Sequence, residues 1–395
     1  LSQTVAPGLP AESNAVFVGD LESKTGKILL PATNSNVAYA PPGFLLFWRE
    51  RTLLAQPFDA KGLRLTGEAT PVAEDVQYLA NAANAIFSVS ENGVLAFQAG
   101  AGASLSQLTW FDRKGKKLGS VGAPADYLRP RLSHDGLRLA VDVADPRTGN
   151  FDVWINDLVR RTASRFTFDA ANDHSPVWSP DDDRIFFTSN RKGAGDIYQK
   201  STTGTGADEL LLASPAFKPT ADCTRDGRFL AFHALDPTTK TRFDLWVFSV
   251  ADRKASPLLQ SEFNETHAAF SPDARWIAYA SDETGRYEIY VQAFPGAGGK
   301  WQVSSAGGSQ PRWRGDGKEL FYVASGKMMA VPVQAGETFQ AGEPAPLFDL
   351  RLKAVPGVRY DVSADGQRFL ANVPAGEESA APITLTVNWT AGLQK

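Results

Sequence analysis

Ser179-Pro180-Asp181-Asp182-Asp183-Arg184-Ile185-Phe186-Phe187, continued by Asp196-Ile197-Tyr198, is the stretch on which the fold turns. An acidic turn leads into a short run of strand formers, and an acidic-apolar-aromatic triplet follows. The phrase returns along the chain. It appears as Ser133-His134-Asp135-Gly136 before Leu139-Ala140-Val141, and as Thr224-Arg225-Asp226-Gly227 before Phe229-Leu230-Ala231-Phe232. Ser271-Pro272-Asp273-Ala274, Arg314-Gly315-Asp316-Gly317 and Ser363-Ala364-Asp365-Gly366 precede further apolar runs, and weaker copies sit at Asn92-Gly93 and Pro42-Gly43. The second turn residue falls at positions 43, 93, 136, 182, 227, 274, 317 and 366, a mean spacing of about 46 residues, which matches a propeller blade of roughly 40–50 residues.

Asp-Gly and Asn-Gly supply the positive φ of tight hairpin turns. The triplets Asp152-Val153-Trp154, Asp196-Ile197-Tyr198, Asp244-Leu245-Trp246 and Glu288-Ile289-Tyr290 mark a third strand, and polar runs such as Ser164–Thr167 a fourth. Four short antiparallel strands per unit without an amphipathic helix give an all-β fold, a single β-propeller. The hairpin count predicts eight blades, with seven as the alternative because the copy at Pro42-Gly43 is weak. A third-strand signal at Val16–Gly19 precedes the first hairpin, and another at Ile383–Val387 follows the last. The chain therefore reads as one domain over 1–395: an N-terminal arm at 1–14, outer strands at 15–31, successive blades over 32–354 and a last blade at 355–395. The outer strands at 15–31 are expected to close the last blade and so remove free sheet edges.

Forty Lys+Arg against forty-four Asp+Glu leave a net charge of −4, without the basic excess of a nucleic-acid binder. The hydrophobic share of 43% supplies a core. Cys223 is the single cysteine, so neither an intrachain disulfide nor a cysteine metal cage exists. Apolar runs such as Phe44–Trp48 are strand-sized, so no membrane insertion of this chain is expected, although an upstream membrane helix is compatible with it. Leu1-Ser2-Gln3-Thr4 carries neither an initiator Met nor a signal pattern, which suggests a processed or trimmed piece of a longer protein.

The Ser-Pro-Asp turn continued to Asp/Glu-Ile-Tyr resembles the WD40-like (PD40) repeat of TolB-family propellers. Longer phrases are similar to the C-terminal propeller of bacterial transmembrane serine/threonine kinases: Leu53–Asp59, Leu108–Asp112, Gly299–Ser304 with Gly308–Trp313, and Val387–Leu393. The resemblance implies an extracytoplasmic location, periplasmic or at the cell surface, and a role as a sensor module or a free-standing TolB-like protein. The kinase glycine loop, His-Arg-Asp and Asp-Phe-Gly motifs do not occur, so kinase activity is not implied.

Catalytic motifs are sparse. Gly307-Gly308-Ser309-Gln310-Pro311 lacks the last glycine of a hydrolase elbow. Of the four histidines, His174 and His267 lie about two repeats apart and precede inner strands. Resemblance to oligogalacturonate lyases, TolB-like propellers with a metal centre, makes these two the candidates for an enzyme reading. The alternative reading is polar loop residues near the channel mouth, and no metal or cofactor is expected. Asp181-Asp182-Asp183 sits in a hairpin turn and lacks the ligand spacing of a calcium loop. Trp154, Tyr198, Trp246 and Tyr290 share one register and read as packing between blades. Cys223 matches Trp178, Phe270 and Trp313 of other copies and reads as buried.

The innermost strand carries the site prediction. Two places before each turn Ser or its equivalent stand Arg131, Val177, Asp222, Ala269, Arg312 and Asp361; four places before stand Arg129, Ser175, Thr220, His267, Gln310 and Arg359. Alternation along a strand turns this polar set into the central channel. Arg129, Arg131, Arg312 and Arg359 are expected to converge at one mouth, with Asp222, Asp361, Gln310, Thr220, His267 and His174 about them, leaving a positive potential there. The set either binds a ligand or merely solvates a wet channel. The function expected is non-catalytic recognition of a small anionic ligand or a protein segment at that mouth. The alternatives are a protein–protein scaffold using loops such as Ala99–Ser106 and Pro146–Phe151, and a propeller lyase or hydrolase.

Overall fold

The computed structural model describes residues 2–4, 15–19, 26–30, 35–79, 84–99, 105–203, 206–236, 241–296, 298–376 and 382–393. It is all-β, and one short 3-10 turn at Trp389–Gly392 follows the final strand. The chain divides into two compact units: Leu1–Leu105 with Ala144–Asn150 and Gly376–Lys395, and Ser106–Val143 with Phe151–Ala375.

The second unit contains six antiparallel sheets among the described residues. Blade 1 begins with inner strand Tyr127–Leu132, blade 2 with Asp173–Trp178, blade 3 with Thr220–Cys223, blade 4 with Glu265–Phe270 and blade 5 with Ser309–Trp313. Blade 6 runs from Tyr360–Val362 to Arg368–Pro374, and its two outer strands are Ser106–Asp112 and Lys117–Ala125. Six apolar clusters fill the six interfaces between successive blades, the last joining Leu108 and Leu370 to Tyr127, Leu139 and Val141. The ring thus closes on itself.

Hydrogen bonds between inner strands follow the same circuit. Trp178 Nε1 donates to Arg131 O at 2.9 Å, Thr220 Oγ1 to Ser175 O, and Phe270 N to Asp222 Oδ2 at 2.8 Å. Trp313 Nε1 donates to Ala269 O at 3.0 Å, Tyr360 Oη to Gln310 O at 2.8 Å, and Leu132 N to Asp361 Oδ2 at 2.8 Å. Each turn is built by its repeat residues. Ser133 Oγ donates to Asp135 Oδ1 at 2.5 Å and accepts from Arg138 N at 2.9 Å, while Gly136 takes φ 71°. The same bonds recur at Ser179, Thr224, Ser271 and Ser363. In blade 2, Asp181 serves this turn and Asp182 accepts from the His134 and Asp135 backbone of blade 1, so both carboxylates have structural duties.

Two expectations are corrected. The ring of described residues has six blades rather than eight, because the hairpins at Gly43 and Gly93 belong to sheets of the first unit. The closing strands are Ser106–Asp112 and Lys117–Ala125, not residues 15–31. Ala15–Gly19 pairs instead with Ser2–Thr4 and Gly26–Leu30, and Ile383–Val387 pairs with Val94–Gln98. The phrase Leu108–Asp112 wins the place beside Arg368–Pro374 because it pairs along its whole length and buries Leu108 completely.

In the first unit, Phe44–Arg49 lies between Val37–Ala40 and Thr52–Asp59. Trp48 stacks on Tyr78 at 4.1 Å, and Trp389 joins the cluster formed with Leu46, Leu53 and Leu95. The expected arm at 1–14 lies outside the described residues except for Ser2–Thr4, as does the expected interaction loop at 100–104.

Candidate functional site

Every inner strand of blades 1 to 5 carries a register shift at one level, where an extra residue is inserted before the turn. Arg129, Ser175, His267 and Gln310 take φ between 37° and 60° there. Such a bulge re-aims side chains. Proline follows the left-handed residue at Pro130, Pro176 and Pro311, a residue confined within sheets to edges, strand starts and bulges.

Below the bulge lies a charged layer made by the register two places before each turn. Arg131 Nη2 meets Asp222 Oδ1 at 2.7 Å and donates to Ala221 O at 2.6 Å. Arg312 Nε stands 3.4 Å from Asp361 Oδ1, an ion pair without the alignment of a hydrogen bond. The carboxylates are otherwise satisfied: Asp222 accepts from Phe270 N, and Asp361 from Leu132 N and Val362 N. Arg312 is not. It is 4% exposed, its Nη1 donates to Pro311 O at 3.1 Å, and its buried Nε–H has no acceptor. Burial and the neighbouring Arg131 pull its pKa down to about 10, which leaves it a cation at neutral pH.

This layer separates two cavities. One, of about 450 Å³, opens among the hairpin turns and is lined by Asp222, Asp361, Asp135 and Asp365 as well as Arg225 and Arg368. The other, of about 290 Å³, opens at the loop end and is lined by Arg129, Arg131 and Arg312 with His233, His267 and Thr220. Arg131 and Arg312 line both. No carboxylate is among the described residues lining the loop-end cavity. The layer's carboxylates face the turn end, and Asp142, the 2.8 Å partner of Arg129, is fully buried. The channel is therefore polarised along its length although its charged layer is neutral.

The predicted residues divide accordingly. Arg129, Arg131, Thr220, His267 and Arg312 come together at the loop end, while Asp222 and Asp361 lie on the turn side. Gln310 is 1% exposed and accepts from Arg359 N at 2.7 Å, and Arg359 donates to Lys353 O at 3.0 Å; neither is among the residues lining these two cavities, so three of the four arginines expected to converge line the loop-end cavity. His174 hydrogen-bonds to Ser175 Oγ at 2.9 Å and packs on Phe217. It is not among the residues lining the cavity with His267, so the structure does not pair the two histidines.

The comparisons agree with the ring. Residues 113–241 match the family model of the TolB beta propeller domain. Over that stretch the ring is similar to a TolB propeller. The Tol-Pal system protein TolB of Helicobacter pylori is 26% identical over 159 residues, which is 40% of this chain and 37% of that relative's length. The structure of putative TolB from Agrobacterium tumefaciens has a TM-score of 0.54 and 19% identity, covering 69% of this chain and 99% of that one. Kuenenia stuttgartiensis hydrazine synthase has a TM-score of 0.50 and 13% identity, covering 76% and 94%. At these identities the structural likeness carries the fold alone.

Sequence reasoning missed His233 on the second strand of this propeller's blade 3. Its ring lies 6.4 Å from that of His267, and its Nε2 accepts from Ala268 N at 3.4 Å. Burial, then Arg129 and Arg312, pull its pKa down to about 4; burial, then His233, Arg359, Arg312 and Arg129, hold His267 well below the ordinary value. Both imidazoles are neutral at pH 7. Among the described residues no group of three or more His, Cys, Asp or Glu is placed to hold a metal ion, and no helix is long and apolar enough to cross a membrane.

Proposed function

We propose that this TolB-like propeller is a non-catalytic recognition module, and that the loop-end mouth of its channel takes an anionic group of a small ligand or of a protein segment. The observation that carries this reading is the polarised channel. Three guanidinium groups line the loop-end cavity with no carboxylate in its described lining, and one of them, Arg312, has an unused buried donor. Guanidinium is the side chain best suited to carboxylate or phosphate. The likeness to TolB supports a protein-interaction role and an extracytoplasmic location for a free-standing protein; the sensor of a membrane kinase is the alternative, drawn from the sequence resemblance alone.

The test is binding of anions to the intact chain and to Arg312→Ala. Asp361 keeps its two backbone donors without Arg312, so this variant should fold. Affinity for an anion should fall by about 1.5–3 kcal/mol, the range for a charge-assisted hydrogen bond. Anion binding that ignores the substitution contradicts the proposal. The rival reading, a propeller lyase, draws on the His233–His267 pair; a stoichiometric transition metal lost in the His233→Ala/His267→Ala variant would favour it.

A further inference from the structure

The loop-end cavity has an apolar wall that charge recognition does not require. Phe217, Phe243 and Tyr287 line it, with Pro176, Pro356 and Val358. Phe217 and Phe243 meet edge to face at 6.5 Å, which leaves an aromatic surface beside the guanidinium groups. We infer that this cavity selects a small monocarboxylate with an aromatic or branched apolar body, its carboxylate on Arg312 and its body against Phe217 and Phe243. The inference rests on the anion-accepting reading above and narrows it to a ligand class.

Charge sets the valence. Arg129 is compensated by Asp142 at 2.8 Å and Arg131 by Asp222 at 2.7 Å. Of the three arginines that line this cavity, only Arg312 is loosely paired, at 3.4 Å, and short of acceptors; Arg359, whose buried Nε also has no acceptor, stands outside the lining. One guanidinium with spare donors matches one negative charge. A phosphate dianion would bring a second charge, which the already compensated arginines offer little to balance, and would lose its hydration against aromatic rings. Neutral His233 adds a donor without adding charge. The Ala268 N–H occupies its Nε2, which assigns the ring proton to Nδ1.

Size and surface set the body. A volume of about 290 Å³ stands at the lower end of the roughly 300–1,000 Å³ typical of ligand pockets. Burying a ring against Phe217 and Phe243 adds the favourable transfer of apolar surface from water. Acetate would gain the charge contact without that term, and a neutral amide of the same shape would gain the surface without the charge.

Calorimetric titration of the full chain with benzoate, cyclohexanecarboxylate, acetate, benzamide and inorganic phosphate tests this. Benzoate and cyclohexanecarboxylate should bind, with acetate, benzamide and phosphate each at least about tenfold weaker. Arg312→Gln should weaken benzoate roughly tenfold to a hundredfold, the equivalent of a charge-assisted hydrogen bond. Phe217→Ala should weaken benzoate and leave acetate unchanged. If phosphate binds as tightly as benzoate and depends on Arg312, the anion-accepting reading stands and the monocarboxylate class is overturned. If benzamide equals benzoate, if Arg312→Gln changes nothing, or if no probe binds, both are overturned. Should Arg312→Gln fail to fold, the benzoate–benzamide ratio and Phe217→Ala still decide.

Discussion

Asp222→Ala should destabilise the ring more than any other single change in the channel. Its carboxylate ties three blades: Oδ1 takes Arg131 Nη2 of blade 1 at 2.7 Å, and Oδ2 takes Phe270 N of blade 4 at 2.8 Å. Truncation removes one charge-assisted hydrogen bond, about 1.5–3 kcal/mol, and strands a backbone N–H, a further 1–3 kcal/mol or so. Arg131, 9% exposed, is left with Ala221 O and water from the cavities. The side chain of Asp222 is 23% exposed, which discounts the sum to about 3–4 kcal/mol. At roughly 2–4 °C per kcal/mol for a unit of this size, Tm should fall by about 6–15 °C. Urea unfolding of the wild type, Asp222→Ala, Arg131→Met and the double variant measures it. The double variant should lose less than the sum of the singles, because it leaves no unpaired guanidinium. A loss under about 1 kcal/mol for Asp222→Ala, or strict additivity, refutes the layer as a structural tie.

Other consequences follow from the same geometry. Cys223 is 5% exposed and burial raises its thiol pKa, so a thiol reagent should label native protein far more slowly than the unfolded chain. A chain trimmed of residues 1–31 should keep the cooperative unfolding of the second unit, whereas removal of residues 106–125 should abolish it by opening the ring between blades 6 and 1; limited proteolysis and melting distinguish the two. His233 titrates near 4 when folded against an ordinary 6.5, so the unfolded chain takes up its proton first. Stability from this group is therefore present above about 6.5 and lost as pH falls towards 4. Asp142 and Asp173, which burial pushes up to about 6, act in the opposite direction. The comparison to make is thus His233→Gln against the wild type. The stability of the wild type relative to that variant should shrink on acidification, by no more than about 1.4 kcal/mol per pH unit.

The repeat was legible because its turn is built from local bonds. The Ser133 hydroxyl, the Asp135 carboxylate and the positive φ of Gly136 need only each other, so hairpins and inner strands could be placed residue by residue. Closure was not legible, because Val16–Gly19 carries a third-strand signal, whereas Leu108–Asp112 stands out only as a phrase resembling other propellers. Only long-range pairing decides which of them meets Arg368–Pro374. The two-before register located Arg131, Asp222, Arg312 and Asp361 in one layer. It did not reveal that the carboxylates face one cavity while the arginines line both. The four-before register was distorted by the bulge, whose trace in the sequence is the proline at 130, 176 and 311. His233 was not legible because it sits on a second strand, outside the innermost register that forms the channel pattern.

Anomalous diffraction from a crystal of the chain soaked in bromide tests the polarised channel most directly. The account predicts a halide in the loop-end cavity within hydrogen-bonding reach of the Arg312 guanidinium, and none in the turn-end cavity beside Asp222 and Asp361. An empty loop-end cavity, with Arg312 closed onto Asp361 in a two-pronged hydrogen bond, would contradict it.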